Sequence, residues 1–184
     1  MHDPAGPASA WAARARAGDR LLVSGPDVRA DDRRRGIQWR PEVAPTTVLL
    51  LGDETAVPAL AGIVASLAPD TRGSLVVEAA DPHSCPPIEG APGGVDVRYI
   101  ARGGAAPGAV LADEIARWAR SDARGALGVG TGFAAWIAAE STAVPGLRAA
   151  VAAAGIAREL VHSQGYWSAG ARRDPPGTGE DRVA

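Results

Sequence analysis

Four short stretches of this chain carry groups suited to binding chemistry. The first is Gly52-Asp53-Glu54-Thr55-Ala56, a polar turn between the apolar run Val48-Leu49-Leu50-Leu51 and a helical pattern of Val57, Leu60, Ile63, Val64 and Leu67. A strand, a tight turn and a helix in that order place free amides and the positive end of the helix dipole at the strand's carboxyl end, where an anionic ligand docks. Such a turn would cradle a dinucleotide pyrophosphate or hold its nicotinamide. Two carboxylates repel a phosphate at close range, so the amides and Thr55 are expected to face it. Thr55 is also placed to cap the helix, with Pro58 tolerated in its first turn. The plainer reading is that Asp53 and Thr55 do nothing but cap.

The other three stretches fall at later strand ends. Arg102 follows an alternating run, and its guanidinium suits bidentate phosphate recognition. Ala138-Ala139-Glu140-Ser141 close another run. Tyr166-Trp167 end the last one, and adjacent aromatics near a sheet edge can cover a planar ring. His83 and Cys85 lie close together in a Pro/Gly-rich loop, but two ligands do not close a zinc site, and no metal is expected. Gly128-Val129-Gly130-Thr131-Gly132 looks like a dinucleotide fingerprint, yet it precedes a strand instead of following one, and reads as a connector.

The elements that must position these groups alternate. Strands are expected at 48–51, Ser74–Ala80, Val95–Ala101, Phe133–Ala139 and Leu160–Trp167. Helices are expected after Thr55, over Val110–Ser121 and over Thr142–Ala154, the last starting nearer Pro145 and stopped by Gly155. Alternation of this kind implies an α/β fold, a three-layer Rossmann-like parallel sheet of about five strands. Upstream, residues 1–10 read as a disordered leader, Ala10–Ala17 as a short helix and Arg20–Ser24 as a short strand stopped by Gly25-Pro26. Asp31–Arg35 is a solvated charge run, and residues 171–184 form a disordered tail.

Bulk properties exclude several classes. The chain has 184 residues, enough for one domain with a sizeable core. A net charge of −2 argues against a general nucleic-acid or anionic-membrane binder. There is no lysine, which removes Schiff-base chemistry and a P-loop. One cysteine, no apolar signal segment and no membrane-length window fit a cytoplasmic protein.

Three ordered motifs resemble a known family. The turn GDETAVPA is similar to the GDETALPAI signature of siderophore-interacting proteins, the flavin-dependent ferric-siderophore reductases. Trp136–Glu140 resembles the family's WxAGE, and Gly165–Gly170 its terminal GYWxxG. Trp11–Pro26 is similar to the end of the family's flavin-binding barrel, and what precedes that end in the family is missing here. The resemblance implies residues 11–45 as the barrel's end and a linker, and 46–170 as an NAD(P)H-binding domain of ferredoxin-reductase type. NADPH or NADH would pass hydride to FAD, and electrons would reach iron in a siderophore or another chelate. FAD would bind only with a flavin-barrel partner. Gly52, Asp53, Glu54, Thr55 and Ala56 would then lie where flavin meets nicotinamide, with Arg102 on the NADPH 2′-phosphate.

Two departures from the family pattern bear on the site. Glycine is usual where Ala139 stands, so its methyl group would crowd the nicotinamide. A basic residue is usual where Ser168 stands, which removes a contact to an acidic siderophore. No acid–base residue is needed for hydride transfer. The alternatives are a non-catalytic NAD(P)-binding or interaction module and, third, a classical dehydrogenase, for which no GxGxxG start is present. The face that a barrel would cover is expected to be taken by a flavin-barrel subunit or a homodimer partner, with the N-terminal segment folding back as the other route.

Overall fold

The computed structural model describes residues 7–22, 39–121, 128 and 132–169. The expectations for the leader before residue 7, the charge run, most of the glycine-rich connector and the tail lie outside the described residues. The chain divides into two units, 1–38 and 39–184.

In the first unit, helix α1 spans Pro7–Ala12, earlier than the expected Ala10–Ala17. Its end is set by the amides of Arg14 and Ala15, which both donate to the Trp11 carbonyl, and by Gly18 at φ +100°. Arg20–Leu22 form no strand, and Leu22 is fully exposed.

The second unit is built on five parallel strands: β1 (Thr47–Asp53), β2 (Arg72–Ala79), β3 (Gly94–Ala101), β4 (Phe133–Glu140) and β5 (Val161–Trp167). Their order is β3-β2-β1-β4-β5. The most apolar run takes the central place: Val48 to Leu51 are at most 1% exposed because β1 is paired on both edges and covered on both faces.

Alternation splits the core into two layers. Leu49, Leu51, Phe133 and Ile137 pack against α3 (Ala109–Ser121) and α4 (Val144–Ala153). Val48, Leu50, Leu75 and Trp136 pack against α2 (Val57–Val64). The sequence reading of helices and strands agrees with these bounds to within one to three residues.

No α-helix joins β2 to β3, only a one-turn 3₁₀ segment at Pro82–Ser84. The expected loop runs along the α2 face and is pinned by Tyr99: the Ile88 amide donates to its hydroxyl at 3.0 Å, and the hydroxyl donates to the Pro86 carbonyl at 2.9 Å. That seats Ile88, 8% exposed, in the α2 layer. Among the described residues no helix is long and apolar enough to cross a membrane.

Gly52 is where strand meets helix most closely. A Cβ there would lie 2.6 Å from the Ala56 Cβ and 3.2 Å from the Ala138 carbonyl oxygen. Neither neighbour has a flexible end that can swing away. Gly52→Ala is expected to destabilise the domain by about 1–3 kcal/mol, the usual cost of overpacking. A urea midpoint equal to that of the wild type would show that the turn relaxes freely.

Candidate functional site

Strand order reverses between β1 and β4, so the crossovers leave in opposite directions and a crevice opens at the carboxyl ends. Carboxylates stand at three of those ends: Asp53 on β1, Glu78 on β2 and Glu140 on β4. Each is at most 1% exposed. A buried carboxylate persists only when its oxygens are hydrogen-bonded, and the local chain is shaped to do that.

Asp53 accepts from the Thr55 amide at 3.0 Å and the Thr55 hydroxyl at 2.5 Å, both on one oxygen. Its other oxygen accepts from the Trp167 indole at 2.7 Å. Asp53, not Thr55, therefore caps the one-turn 3₁₀ segment Glu54–Ala56 that leads into α2. Thr55 is exposed, but its amide and its hydroxyl both donate to the cap.

Glu140 holds the β4 turn in the same way. One oxygen accepts from the Thr142 amide (2.6 Å), the Thr142 hydroxyl (2.5 Å) and the Ala143 amide (3.1 Å), and the other from the Ala169 amide at 3.0 Å. These donors, the Thr142 hydroxyl first, hold its carboxyl below the ordinary glutamate value against the opposing effect of burial.

Glu78 is the residue the sequence reading missed. One oxygen accepts from the Gly108 amide at 2.9 Å, at the entry to α3, and from Arg102 Nε at 2.7 Å; the other accepts from the Leu111 amide at 3.3 Å. The signal was present: a lone acid closes the apolar run Ser74-Leu75-Val76-Val77-Glu78, where a buried charge needs a partner. Arg102 completes the cluster through Nη2 to Glu54 at 2.7 Å. Burial alone would lower its pKa, but the Glu78 hydrogen bond and the charges of Glu54 and Glu78 outweigh it and raise the pKa. Arg102 thus ties together the ends of β1, β2 and β3, with its side chain 14% exposed.

Two expectations about crowding and stacking change. Ala139 is 0% exposed and packs beside Leu111 and Val144, so its methyl group points into the core and not into the crevice. Ala138 is equally buried in the opposite layer. Tyr166 and Trp167 do not form one aromatic surface. Tyr166 meets Trp136 edge-on at 5.9 Å between ring centroids, and Trp167 binds Asp53. Ser141 donates to the Trp167 carbonyl from its amide and its hydroxyl, both at 2.7 Å, and closes the β4–β5 end.

At the strand ends the structure thus brings together Gly52 to Ala56, Arg102, Ala138 to Ser141 and Trp167. Among the described residues no group of three or more His, Cys, Asp or Glu could hold a metal. A cavity of about 450 Å³ lies between α4 and the first half of β5, lined by Arg148, Arg158, Val161 and Ser163 among others, away from the strand ends.

A family model described as siderophore-interacting protein matches residues 45–170, and one described as siderophore-interacting FAD-binding domain matches residues 1–30. An uncharacterized protein of Mycobacterium tuberculosis is 35% identical over 106 residues, 58% of this chain and 34% of that protein. The mycobactin import ATP-binding/permease protein IrtA of the same organism is 28% identical over 172 residues, 92% of this chain and 18% of that protein. Among solved structures, a siderophore utilization protein from T. fusca aligns with a TM-score of 0.59 at 26% identity, covering 90% of this chain and 57% of that one. The siderophore-interacting protein SipS from Aeromonas hydrophila aligns at 0.63 and 20% identity, covering 89% and 63%, and shows the shared fold. The chain spans about a third of the length of the M. tuberculosis uncharacterized relative.

Two measurements test the carboxylate caps. Trp167→Phe removes one donor from Asp53 and is expected to cost about 1.5–3 kcal/mol in urea unfolding, the scale of a hydrogen bond to a charged group. Glu140 has a folded-state pKa below its unfolded one. It therefore contributes stability above the unfolded value and loses it as pH falls through the folded value. Thr142→Val should move the Glu140 carboxyl ¹³C titration upward and start acid unfolding at a higher pH; an unmoved titration would remove the hydroxyl from this account.

Proposed function

The chain belongs to the siderophore-interacting protein family, and on that premise we propose that residues 46–170 bind NAD(P)H for hydride transfer to FAD, with chelated ferric iron as the final acceptor. The observation that carries this reading is the crevice at the strand-order reversal, where the Gly52–Ala56 turn and the Ala138–Ser141 turn end side by side.

The crevice suits the uncharged end of the cofactor better than its phosphates. A pyrophosphate at the entry to α2 would meet Asp53 and Glu54, and the Thr55 donors are already spent. A nicotinamide brings no such charge. Gly52 keeps the turn low, and the buried Ala138 and Ala139 put no side chain in the way. Asp53 and Glu140 act by fixing the two turns, so orientation, not proton transfer, is this domain's part.

The flavin supplies the conversion of a two-electron hydride into single electrons for iron. It would be held by a barrel, in the same polypeptide or on a partner subunit, because thirty matched residues cannot close one. We place the protein in the cytoplasm, where NAD(P)H is found. A non-catalytic nucleotide-binding or interaction module is the second reading. It is favoured by the engagement of Thr55 and Arg102 in internal bonds.

Amide NMR of the full chain titrated with NADH and NADPH tests the proposal. Shifts are expected at Gly52, Glu54, Ala139 and Ser141, and no perturbation at millimolar nucleotide would overturn it. Residues 1–184 expressed alone should purify without stoichiometric FAD and reduce a ferric chelate only when a flavin barrel and FAD are added. Reduction of iron by the colourless chain alone would contradict the assignment of the flavin to a barrel.

A further inference from the structure

We propose that Glu54 sets the choice between NADH and NADPH, by holding the strand-end arginine that a 2′-phosphate would otherwise take. This rests on the nucleotide-binding reading above.

The two coenzymes differ only in that phosphate. In folds of this order, an acidic residue at the end of β2 accepts from the adenosine ribose, or a nearby arginine accommodates the 2′-phosphate. Glu78 occupies the acidic position by strand, at the end of β2. It is 0% exposed and bonded to Arg102 and to the amides of Gly108 and Leu111, so it offers nothing to a ribose. Arg102 is the neighbouring arginine, and Glu54 already accepts from its Nη2.

The three members differ in freedom. Glu78 is fixed by the entry to α3. Arg102 is fixed to Glu78 through Nε and keeps a side chain only 14% exposed. Glu54 makes one bond to Arg102, and its side chain is 35% exposed. A phosphate approaching Arg102 competes with Glu54 for Nη2. The cluster already carries two carboxylates against one guanidinium, and a phosphate brings roughly −1.5 to −2 more. NADH brings no charge at that point and leaves the bond intact. The resemblance-based expectation that Arg102 reads the 2′-phosphate is thereby qualified: the guanidinium is in place, and Glu54 holds it first.

Glu54→Gln tests this without emptying the position. The glutamine carbonyl can still accept from Arg102, so the fold is kept while the competing charge is removed, and a thermal melt checks that it is. Calorimetry at fixed ionic strength on the full chain would compare NADH, NADPH, adenosine 5′-diphosphate and 2′,5′-ADP. The wild type is expected to bind NADH at least tenfold more tightly than NADPH. Glu54→Gln should shift the NADPH-to-NADH and the 2′,5′-ADP-to-adenosine-5′-diphosphate affinity ratios at least tenfold toward the 2′-phosphorylated member. Adding Arg102→Gln should abolish the shift. Equal changes for all four nucleotides, or unchanged ratios, would overturn the role of Glu54 while leaving nucleotide binding standing. Binding of none of the four to either protein would overturn the nucleotide reading and this inference with it.

Discussion

The structure depends on keeping three buried carboxylates hydrogen-bonded at the ends of parallel strands. Asp53 and Glu140 each terminate an apolar strand in the interior of the sheet, and Glu78 stands one residue before the end of another. Leaving such a group without partners costs several kcal/mol, so each end must bring donors to it. Asp53 draws in the Thr55 amide and hydroxyl and thereby starts the turn into α2. Glu140 does the same with Thr142 and Ala143 and starts the path into α4. Glu78 has no donor in its own turn and takes the amides at the entry to α3. The polar turns are therefore consequences of satisfying buried charge, and the crevice between β1 and β4 has the shape those turns leave.

That arrangement explains which parts were legible in the sequence. The strands and helices could be read because each is a local pattern: four aliphatic residues in a row for β1, and three- and four-residue spacing for α2 and α3. The three strand-end turns could be read as candidate sites because polar residues interrupt those patterns at Asp53, Arg102 and Glu140. What each polar residue bonds to could not be read. The Asp53–Trp167 bond spans 114 residues and the Arg102–Glu54 bond spans 48. Residue type alone makes Thr55 and Asp53 equally good caps; Asp53 takes the role because, at the buried end of β1, its carboxylate needs donors. Ala139 was misjudged for a related reason. Its residue type suggested crowding, but strand parity turns its methyl group toward α3 and α4.

Charge at the strand ends sets what the site can accept. The helix dipole and the free amides of a strand-to-helix turn favour an anion, and that general expectation fails where a carboxylate has already occupied the position. Here Asp53 is itself the anion at the entry to α2. Arg102 is likewise neutralised from within. A fold that usually holds phosphate at this edge thus presents a surface whose local charge requirements are met internally.

Trp167 shows how the last strand completes this edge. β5 is separated from β1 by β4, a span of roughly 9–10 Å across two strand spacings. Regular pairing runs from Ala135–Val161 to Ala139–Gly165, and then the register shifts so that Glu140 pairs with Trp167 and Tyr166 is left over. The extra residue lets Tyr166 turn to one face, against Trp136, while the Trp167 indole crosses β4 to reach Asp53. Gly165 permits the close approach, since a Cβ there would lie 2.5 Å from the Ser141 hydroxyl. The indole consequently spans the strand ends on both sides of the reversal. Moving that indole aside would leave a buried carboxylate short of a donor. The cap on Asp53 and the position of Trp167 are one constraint, which ties the end of the last strand to the end of the central strand.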